Sequence, residues 1–521
     1  MPAQGEERDL IGELFMVDFG GPSPSDEITR LIADGGVGGV VLFDKNIRDP
    51  GQVASLTNAL QRHAAAVRRP PLLVAVDQEG GPVVHLRGTH FPSAMAFGAA
   101  GSDDLVAAAA EVTARELRAV GIHFNFAPDL DVNSNPANPV IGVRSYGEDP
   151  ALVARLGTRA ITAMQAGGVL ATAKHFPGHG DTAQDSHLAL PTVGHTRDRL
   201  EAIEFPPFRE AIGAGVAAVM TAHVVYPALD PDHPATLSPA IIGMLRAEMG
   251  FAGIVVSDSM RMRAIADLLG PGEAAVQAVL AGVDLVLALG PTEVQWEALR
   301  AVRAAAADGR IPPARIREAA DRVVAAKRRL GLFDNAFVQE NAVPRRVGLP
   351  EHTALAGRVA AAAATLVREQ RGMPPLPPGS IQVAAGLAPQ ETVERLAQAL
   401  RTKGRTAMTV GLDRGVGLDR GPAPDRAGPI VLPLGDSAPG GPVTRERILA
   451  MTAAALKRGP TVVVATAAPY ALAHVPQECA ALAVYGADPS TLQAAAAALT
   501  GAIRPGGRLP VTIASPTSRE V

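Results

Sequence analysis

Eight short apolar runs recur along the first 330 residues, each separated from the next by a longer segment rich in Ala, Leu and Arg. The runs cover residues 14–19, 37–43, 72–76, 122–127, 169–173, 217–221, 253–257 and 283–289. Continuous apolar runs of this length are typical of parallel strands buried on both faces, and the intervening segments predict connecting helices. About eight such units predict a (β/α)8 TIM-type barrel. The alternative is a doubly wound sheet, which would have to be unusually wide.

A second region follows a segment of weak periodicity at residues 335–346. Apolar runs alternate there with Ala-rich segments, which predicts a smaller α/β sandwich or a flavodoxin-like layer. We therefore expect a catalytic barrel over residues 1–334, a linker over 335–346 and a C-terminal α/β sandwich domain over 347–521. The candidate catalytic groups all lie in the first region.

The composition excludes several classes of protein. The formal net charge is −4 and no basic stripe is visible, so nucleic acid is not an expected partner. The apolar stretches fall well short of the roughly 20 residues that a membrane span needs. The single cysteine, Cys479, excludes an internal disulfide and a multi-cysteine zinc site. Because the first ten residues are polar and unlike a secretory signal, we expect a soluble, cytoplasmic protein.

Polar residues follow directly after several of the predicted strands. They are Asp77, Asp129, Asp131, Lys174, His175, His223 and Asp258. In a parallel barrel the carboxyl ends of the strands surround one opening, so side chains distant in sequence converge there. One polar residue at a strand end is ordinary, whereas a ring of ionisable groups predicts an active site.

The segment from Lys174 to His187, KHFPGHGDTAQDSH, concentrates titratable side chains on a loop after the fifth run. A retaining glycosidase needs a carboxylate nucleophile and a proton donor on opposite sides of the anomeric carbon. Asp258 suits the first role, and His187 suits the second because Asp185 can orient its imidazole. Gly178 and Gly180 would allow this loop to move over a bound sugar.

The same segment supports two other chemistries. A zinc or two-metal hydrolase site would draw its ligands from His175, His179, Asp181, Asp185 and His187. Lys174, at a strand end, would suit the Schiff base of a barrel aldolase. The residues alone leave glycosidase, metal hydrolase and aldolase nearly level.

Further motifs lie in order along the first region: IGELFMVDFGG (11–21), VAVDQEGG (74–81), FNFAPDLDVN (124–133), VIGVRSYGEDP (140–150), VMTAHVVYP (219–227), PATLSP (234–239) and GFAGIVVSDSM (250–260). With KHFPGHG and DSH, they make the chain resemble glycoside hydrolase family 3. The resemblance is to its β-N-acetylhexosaminidase branch, which processes cell-wall muropeptides. The tail GGRLPVTIASP (506–516) is similar to the close of that family's second domain.

The resemblance implies a role for each matching residue. Asp258 would be the nucleophile, His187 the general acid/base and Asp185 its partner. The −1 subsite, which binds the terminal sugar, would be formed by Asp77, Arg144, Lys174 and His175. It implies hydrolysis with retention through a covalent glycosyl-aspartate, without a metal or cofactor. The expected partner is a small carbohydrate or muropeptide, and the oligomeric state is left open.

The chain departs from the family pattern at three positions. Pro82 and His85 stand where the family usually has arginine, with Arg87 nearby, and Val143 stands where aspartate is common. These departures, together with a histidine acid/base that unlike a carboxylate would not repel incoming phosphate, keep three alternatives open. They are a β-N-acetylglucosaminide phosphorylase, a broader β-glycosidase on the same scaffold, and a sugar-binding protein without catalysis.

Overall fold

The computed structural model describes residues 10–186, 188–412, 428–438 and 441–513. Eight parallel strands form the first sheet: Phe15–Val17 (β1), Gly39–Val41 (β2), Leu73–Val76 (β3), Phe124–Asn125 (β4), Leu170–Phe176 (β5), Ala218–Thr221 (β6), Ile254–Ser257 (β7) and Val286–Ala288 (β8). Their order is β7-β6-β5-β4-β3-β2-β1-β8. The Ser257 N–H donates to the Leu285 carbonyl at 3.0 Å and links the two edges. The predicted (β/α)8 barrel is confirmed.

Helices surround this barrel. They are Asp26–Arg30 (α1), Pro50–Ala66 (α2), Ala94–Ala100 (α3), Asp103–Ala119 (α4), Pro150–Ala166 (α5), Arg197–Ala202 (α6), Phe205–Gly213 (α7), Pro239–Ala247 (α8), Arg263–Ala266 (α9), Pro271–Ala281 (α10), Thr292–Ala307 (α11) and Pro313–Arg329 (α12). Two of the longest begin with an Asp-Pro pair. Asp49 and Asp149 accept hydrogen bonds from backbone N–H groups of the first turn, and the proline that follows suits the first helical position.

Side chains from the strands fill the interior of the barrel. Met16, Phe124, Phe126, Met220 and Leu287 belong to one buried cluster there. Because these large apolar groups occupy the interior, the barrel has no open channel and polar chemistry is confined to its ends.

A second, six-stranded sheet contains Thr365–Arg368 (β9), Ile381–Ala385 (β10), Ala407–Gly411 (β11), Ile430–Leu434 (β12), Thr461–Ala465 (β13) and Ala480–Ala483 (β14). Its order is β9-β14-β13-β12-β10-β11, and β9 is antiparallel to β14. Its helices are Pro350–Ala363 (α13), Gln390–Thr402 (α14), Arg445–Leu456 (α15) and Pro489–Thr500 (α16). This confirms a second α/β unit.

The segment between the two sheets packs on the barrel. Its 3-10 helix Glu340–Arg345 contacts α2, where Glu340 accepts hydrogen bonds from Ser55 and Asn58. Helix α13 then contacts α3 and α4 of the barrel as well as α16 of the second sheet. The boundaries proposed for the linker and for the two domains stay predictions. Within the described residues, no helix combines the length and apolar character needed to cross a membrane.

Candidate active site

A cavity of about 850 Å³ opens at the carboxyl ends of the barrel strands. Side chains from several strand ends and the loops after them line it, among them Asp18, Lys45, Asp77, Glu79, His85, Arg144, Lys174, His175, His179, Ser186, Asp258 and Arg261. Five residues predicted for the nucleophile and the sugar subsite therefore share one cavity. These are Asp77, Arg144, Lys174, His175 and Asp258.

Lys174 lies on β5, is only 2% exposed and is held between two carboxylates. Its Nζ lies 2.7 Å from Asp77 Oδ1 and 2.6 Å from Glu79 Oε1. Burial by itself would lower the pKa of Lys174, but Asp77 and Glu79 raise it above its usual value. Lys174 is therefore a permanent ammonium, suited to donating hydrogen bonds. A Schiff-base lysine needs a lowered pKa, so this environment argues against the aldolase alternative.

Glu79, which was not among the predicted site residues, also binds Arg144. Arg144 donates from Nε to Glu79 Oε2 at 2.9 Å and from Nη2 to Glu79 Oε1 at 2.8 Å. Burial tends to raise the pKa of Glu79, but Arg144 and Lys174 lower it well below its usual value. The available signal was spacing, because Glu79 lies two residues after Asp77 in the loop that follows β3.

His175 is oriented by a second carboxylate that was not assigned a role. Its Nδ1 lies 2.7 Å from Asp131 Oδ2, while the backbone N–H groups of His175 and His179 donate to Asp131 Oδ1 at 3.2 and 2.6 Å. Burial raises the pKa of Asp131, but the charge and hydrogen bonds of His175 and His179 lower it to about 2. Because the Asp131 carboxylate accepts a hydrogen bond from Nδ1–H, the nitrogen of His175 left for other contacts is Nε2.

Asp258 follows β7 directly and is partly exposed in the cavity. Its Oδ1 accepts the backbone N–H of Ser259 at 2.6 Å. Burial tends to raise the pKa of Asp258, but His223, His175, the Ser259 N–H and Lys174 together lower it below its usual value. The carboxylate is therefore ionised near neutral pH.

His223 supports the turn that carries Asp258. Its Nε2 lies 3.0 Å from the Ser259 carbonyl oxygen, and its Nδ1 lies 2.8 Å from Thr236 Oγ1. A carbonyl oxygen can only accept, so Nε2 carries a hydrogen. The imidazole thus connects the end of β6 to the residue after Asp258.

The predicted acid/base pair is only partly described. His187 lies outside the described residues. Asp185 is half-buried, and its carbonyl oxygen accepts the N–H groups of Leu188 and Ala189 at 2.9 and 3.0 Å. The neighbouring Ser186 is buried and hydrogen-bonds to His179 Nε2 at 2.8 Å, so the chain just before His187 is tied to the cavity.

The first part of this loop is packed rather than loose. A Cβ at Gly180 would lie 1.8 Å from the Val132 carbonyl oxygen, and one at Gly178 would meet Glu204 at 2.8 Å. The Gly178 carbonyl also accepts the Tyr226 hydroxyl at 2.6 Å. Both glycines therefore permit close packing in this conformation, and their role in loop movement stays a prediction.

Among the described residues considered as metal ligands, His175, His179 and Asp181 contact different partners. His175 pairs with Asp131, His179 contacts Thr182 and Ser186, and Asp181 Oδ2 lies 2.5 Å from His195 Nε2. Burial and His175 lower the pKa of His179 to about 4, although Asp131 raises it.

A different group of potential ligands gathers among the described residues, namely Asp129, Asp131 and His175. The Arg144 guanidinium lies 3.5 Å from Asp129 Oδ2, so positive charge is already present on that side. A metal ion there would be repelled by this guanidinium and by Lys174.

The residues at and near the usual arginine positions of the family differ in their location relative to the cavity. His85 lines the cavity, packs on Phe43 and contacts Asp44 Oδ1 at 2.9 Å. Pro82 and Arg87 are exposed, and neither is among the described residues that line the cavity. His85 thus replaces an arginine with a smaller group at the wall.

Comparisons with known proteins agree with this geometry. The model of the glycosyl hydrolase family 3 N-terminal domain matches residues 7–326. The chain is 36% identical to β-hexosaminidase A of Pseudoalteromonas piscicida over 412 residues, covering 74% of this chain and 68% of the relative. It is 32% identical to a β-N-acetylglucosaminidase/β-glucosidase of Cellulomonas fimi, covering 98% and 94%.

A solved structure extends the likeness to both sheets. The glycoside hydrolase family 3 β-N-acetylglucosaminidase of Paenibacillus sp. str. FPU-7 is 38% identical, with a TM-score of 0.86 over 97% of this chain and 98% of that one. The chain belongs to glycoside hydrolase family 3 and is a glycoside hydrolase.

Proposed function

We propose that the protein is a retaining exo-β-N-acetylglucosaminidase that removes terminal GlcNAc from muropeptides or short β-linked oligosaccharides. The observation that carries the proposal is an ionised Asp258 carboxylate in the same cavity as buried Lys174. The names of the two relatives and of the solved structure support the acetamido sugar. The family fold supports hydrolysis of a glycosidic bond.

In the proposed mechanism, Asp258 attacks the anomeric carbon and forms a covalent glycosyl-aspartate. His187, oriented by Asp185, protonates the leaving oxygen and later removes a proton from the incoming water. The lowered pKa of Asp258 keeps the nucleophile charged before attack. The polar contacts of the sugar would come from Asp77, which accepts hydrogen bonds, and from Lys174 and Arg144, which donate them.

Trapping the covalent intermediate tests the nucleophile. A 5-fluoro GlcNAc donor with a good leaving group should label the protein, because the fluorine destabilises the positive charge that develops when the intermediate is hydrolysed. Peptide mass spectrometry should place the sugar on Asp258. Asp258→Asn should lose activity by about 10³-fold or more and remain unlabelled. A label on another residue would remove Asp258 from the nucleophile role.

Leaving-group dependence tests the acid/base. His187→Ala should retain turnover of a dinitrophenyl glycoside, whose leaving group needs no proton, and lose turnover of chitobiose. His175→Asn is the matched control, because His175 is a second carboxylate-oriented histidine in the cavity. As a sugar-binding residue it should reduce both activities alike. The reverse pattern would transfer the acid/base role to His175.

Substrate profiling tests the sugar and the acceptor. The nitrophenyl β-glycosides of GlcNAc and glucose, chitobiose and a GlcNAc-anhydro-muropeptide should be compared with and without phosphate. We expect preference for GlcNAc and free GlcNAc as product. Activity on glucose alone would reject the acetamido assignment. A rate that rises with phosphate and yields sugar 1-phosphate would instead establish a phosphorylase.

A further inference from the structure

The barrel loop that carries Arg144 lies between the cavity and the second domain. Arg144 ends the short 3-10 helix Gly142–Arg144, and its guanidinium lines the cavity. The preceding residue, Val143, packs against an apolar cluster formed by α3 and the second sheet, which includes buried Leu432 and Val463. Two consecutive side chains therefore face different parts of the molecule.

Polar contacts join the same loop region to the second domain. The Glu148 N–H donates to the Pro510 carbonyl at 3.1 Å, and the Thr512 hydroxyl donates to the Glu148 carboxylate. Asn133 Nδ2 donates to the Tyr470 hydroxyl at 2.6 Å. These contacts come from the 3-10 helix Pro469–His474 and from residues 508–513 of the GGRLPVTIASP tail.

The barrel side of this interface is itself connected to the sugar-facing groups. The Ser145 hydroxyl donates to the Asp131 carbonyl at 2.6 Å, and Asp131 orients His175. Asn133 N–H donates to the Gly147 carbonyl at 2.9 Å. Hydrogen bonds thus link Asn133 to Gly147, and Ser145, the residue after Arg144, to the backbone of Asp131.

Close backbone packing makes the interface specific. A Cβ at Gly147, whose φ is +156°, would lie 2.5 Å from the Pro510 carbonyl oxygen. The same segment also contacts α3, where the Arg508 N–H donates to the Ala99 carbonyl at 2.9 Å. The tail therefore fits against the barrel by direct backbone contact, which leaves little freedom for the loop it touches.

We infer that Tyr470 and residues 508–513, which we call the brace, position Arg144 for binding the sugar. The brace residues are positioning residues, and none is among the described residues that line the cavity. Glu79 holds the guanidinium of Arg144, and the brace contacts Gly147 and Glu148, three and four residues after Arg144 in the same loop. The inference rests on the proposed role of Arg144 and assigns the second domain a part in substrate binding.

The double variant Tyr470→Phe/Thr512→Val tests the brace. It removes two of its polar contacts and keeps the shape of both side chains. Since each hydrogen bond contributes roughly a threefold effect, we expect the loss of two to raise KM about tenfold while kcat stays within about twofold. Tyr485→Phe is the matched control, because the Tyr485 hydroxyl donates to Thr365 Oγ1 inside the second domain. It should leave KM unchanged.

Repeating the double variant in an Arg144→Ala background separates positioning from stability. If the brace acts through Arg144, the tenfold effect on KM should disappear in that background. An unchanged KM in the first experiment, or a full effect that persists without Arg144, would overturn the inference. A lower melting temperature with unchanged KM would also overturn it and leave the contacts as domain docking alone.

The proposed function is checked separately with the unmodified enzyme. KM is measured on whichever nitrophenyl β-glycoside the wild type cleaves, so a preference for another sugar rejects only the GlcNAc assignment. If no β-glycoside is cleaved, calorimetric binding of GlcNAc and glucose replaces KM. The brace then predicts weaker binding by the double variant and unchanged binding by Tyr485→Phe.

Discussion

Replacing Glu79 with glutamine tests how the sugar-facing cations are held. The carboxylate lies 2.6 Å from Lys174 Nζ and accepts two hydrogen bonds from Arg144 at 2.8 and 2.9 Å. A glutamine keeps one acceptor oxygen but presents an amide NH₂ to a cation. Lys174 would keep its contact with Asp77 at 2.7 Å, and Arg144 would keep its contact with Asp129 at 3.5 Å.

The size of the effect follows from these remaining partners. Removing one member of a buried ion pair costs about 3–5 kcal/mol of stability when the other charge is left alone. Lys174 retains the Asp77 carboxylate, but burial and Asp131 raise the pKa of Asp129 well above its usual value, so Arg144 retains a weaker partner. We therefore expect a cost of about 4 kcal/mol in the free energy of unfolding, in the middle of this range. Displacement of both donors should also reduce kcat/KM about 100-fold, equivalent to about 2.7 kcal/mol of transition-state stabilisation.

Urea unfolding and steady-state kinetics measure the two effects. Glu13→Gln is the control, because buried Glu13 pairs with buried Lys327 at 2.5 Å before β1, at the other end of the barrel. This control should lose stability and keep kcat/KM. This expectation is contradicted if the free energy of unfolding of Glu79→Gln lies within about 1 kcal/mol of the wild-type value and its kcat/KM within about threefold.

Three further predictions concern packing and pH. Gly180→Ala should lower stability by about 1–3 kcal/mol because its Cβ meets the Val132 carbonyl oxygen, whereas Gly194→Ala, with open space around it, should not; thermal unfolding compares them. His179 has a pKa of about 4, mainly because of burial, so between pH 4 and about 6.5 the unfolded chain binds a proton that the folded one does not. The free energy of unfolding should therefore fall as pH falls through this range. In His179→Gln, its slope against pH should be shallower by about 1.4 kcal/mol per pH unit. Parallel slopes for the wild type and the variant, measured by urea unfolding, would contradict this. Because the pKa of Asp258 is lowered, the acidic limb of kcat/KM assigned to the nucleophile should lie below pH about 3.9; a limb above that value would oppose the assignment.

The strands could be predicted because buried parallel strands require little more than a continuous apolar run. Each of the eight runs overlaps a strand, but the run at residues 122–127 forms only Phe124–Asn125. The strand at the fifth run continues through Phe176, so Lys174 and His175 lie on β5 and not on the predicted loop. Asn125 exchanges hydrogen bonds with the Gln78 backbone through its side chain. A buried amide thus replaces ladder contacts at this point, and hydrophobicity alone does not reveal such an exchange.

The site could be predicted as a set of strand ends but not as a set of pairs. Asp77, Lys174 and Asp258 were expected at one opening because barrel topology brings strand ends together. Glu79 was missed, and Asp131 was expected at the opening but without its partner His175, because the partners of Glu79 and Asp131 are 65 and 44 residues away in sequence, a distance that no local pattern reports. Such pairings emerge only when loops of several strands pack against one another.

The ion pairs that the structure describes around the cavity leave the proposed nucleophile, Asp258, outside them. Asp77 and Glu79 neutralise Lys174, Glu79 also neutralises Arg144, and Asp131 holds His175. Within the described residues, Asp258 forms no salt bridge with a lysine or arginine, and positive groups farther away lower its pKa. A carboxylate bound tightly to a cation would have to break that contact before attacking carbon. Because Lys174, Arg144 and His175 each have another acidic partner, Asp258 is not held in a tight ion pair, while Lys174 and His175 still lower its pKa from a distance. The carboxylate is therefore both ionised and available, as a nucleophile requires.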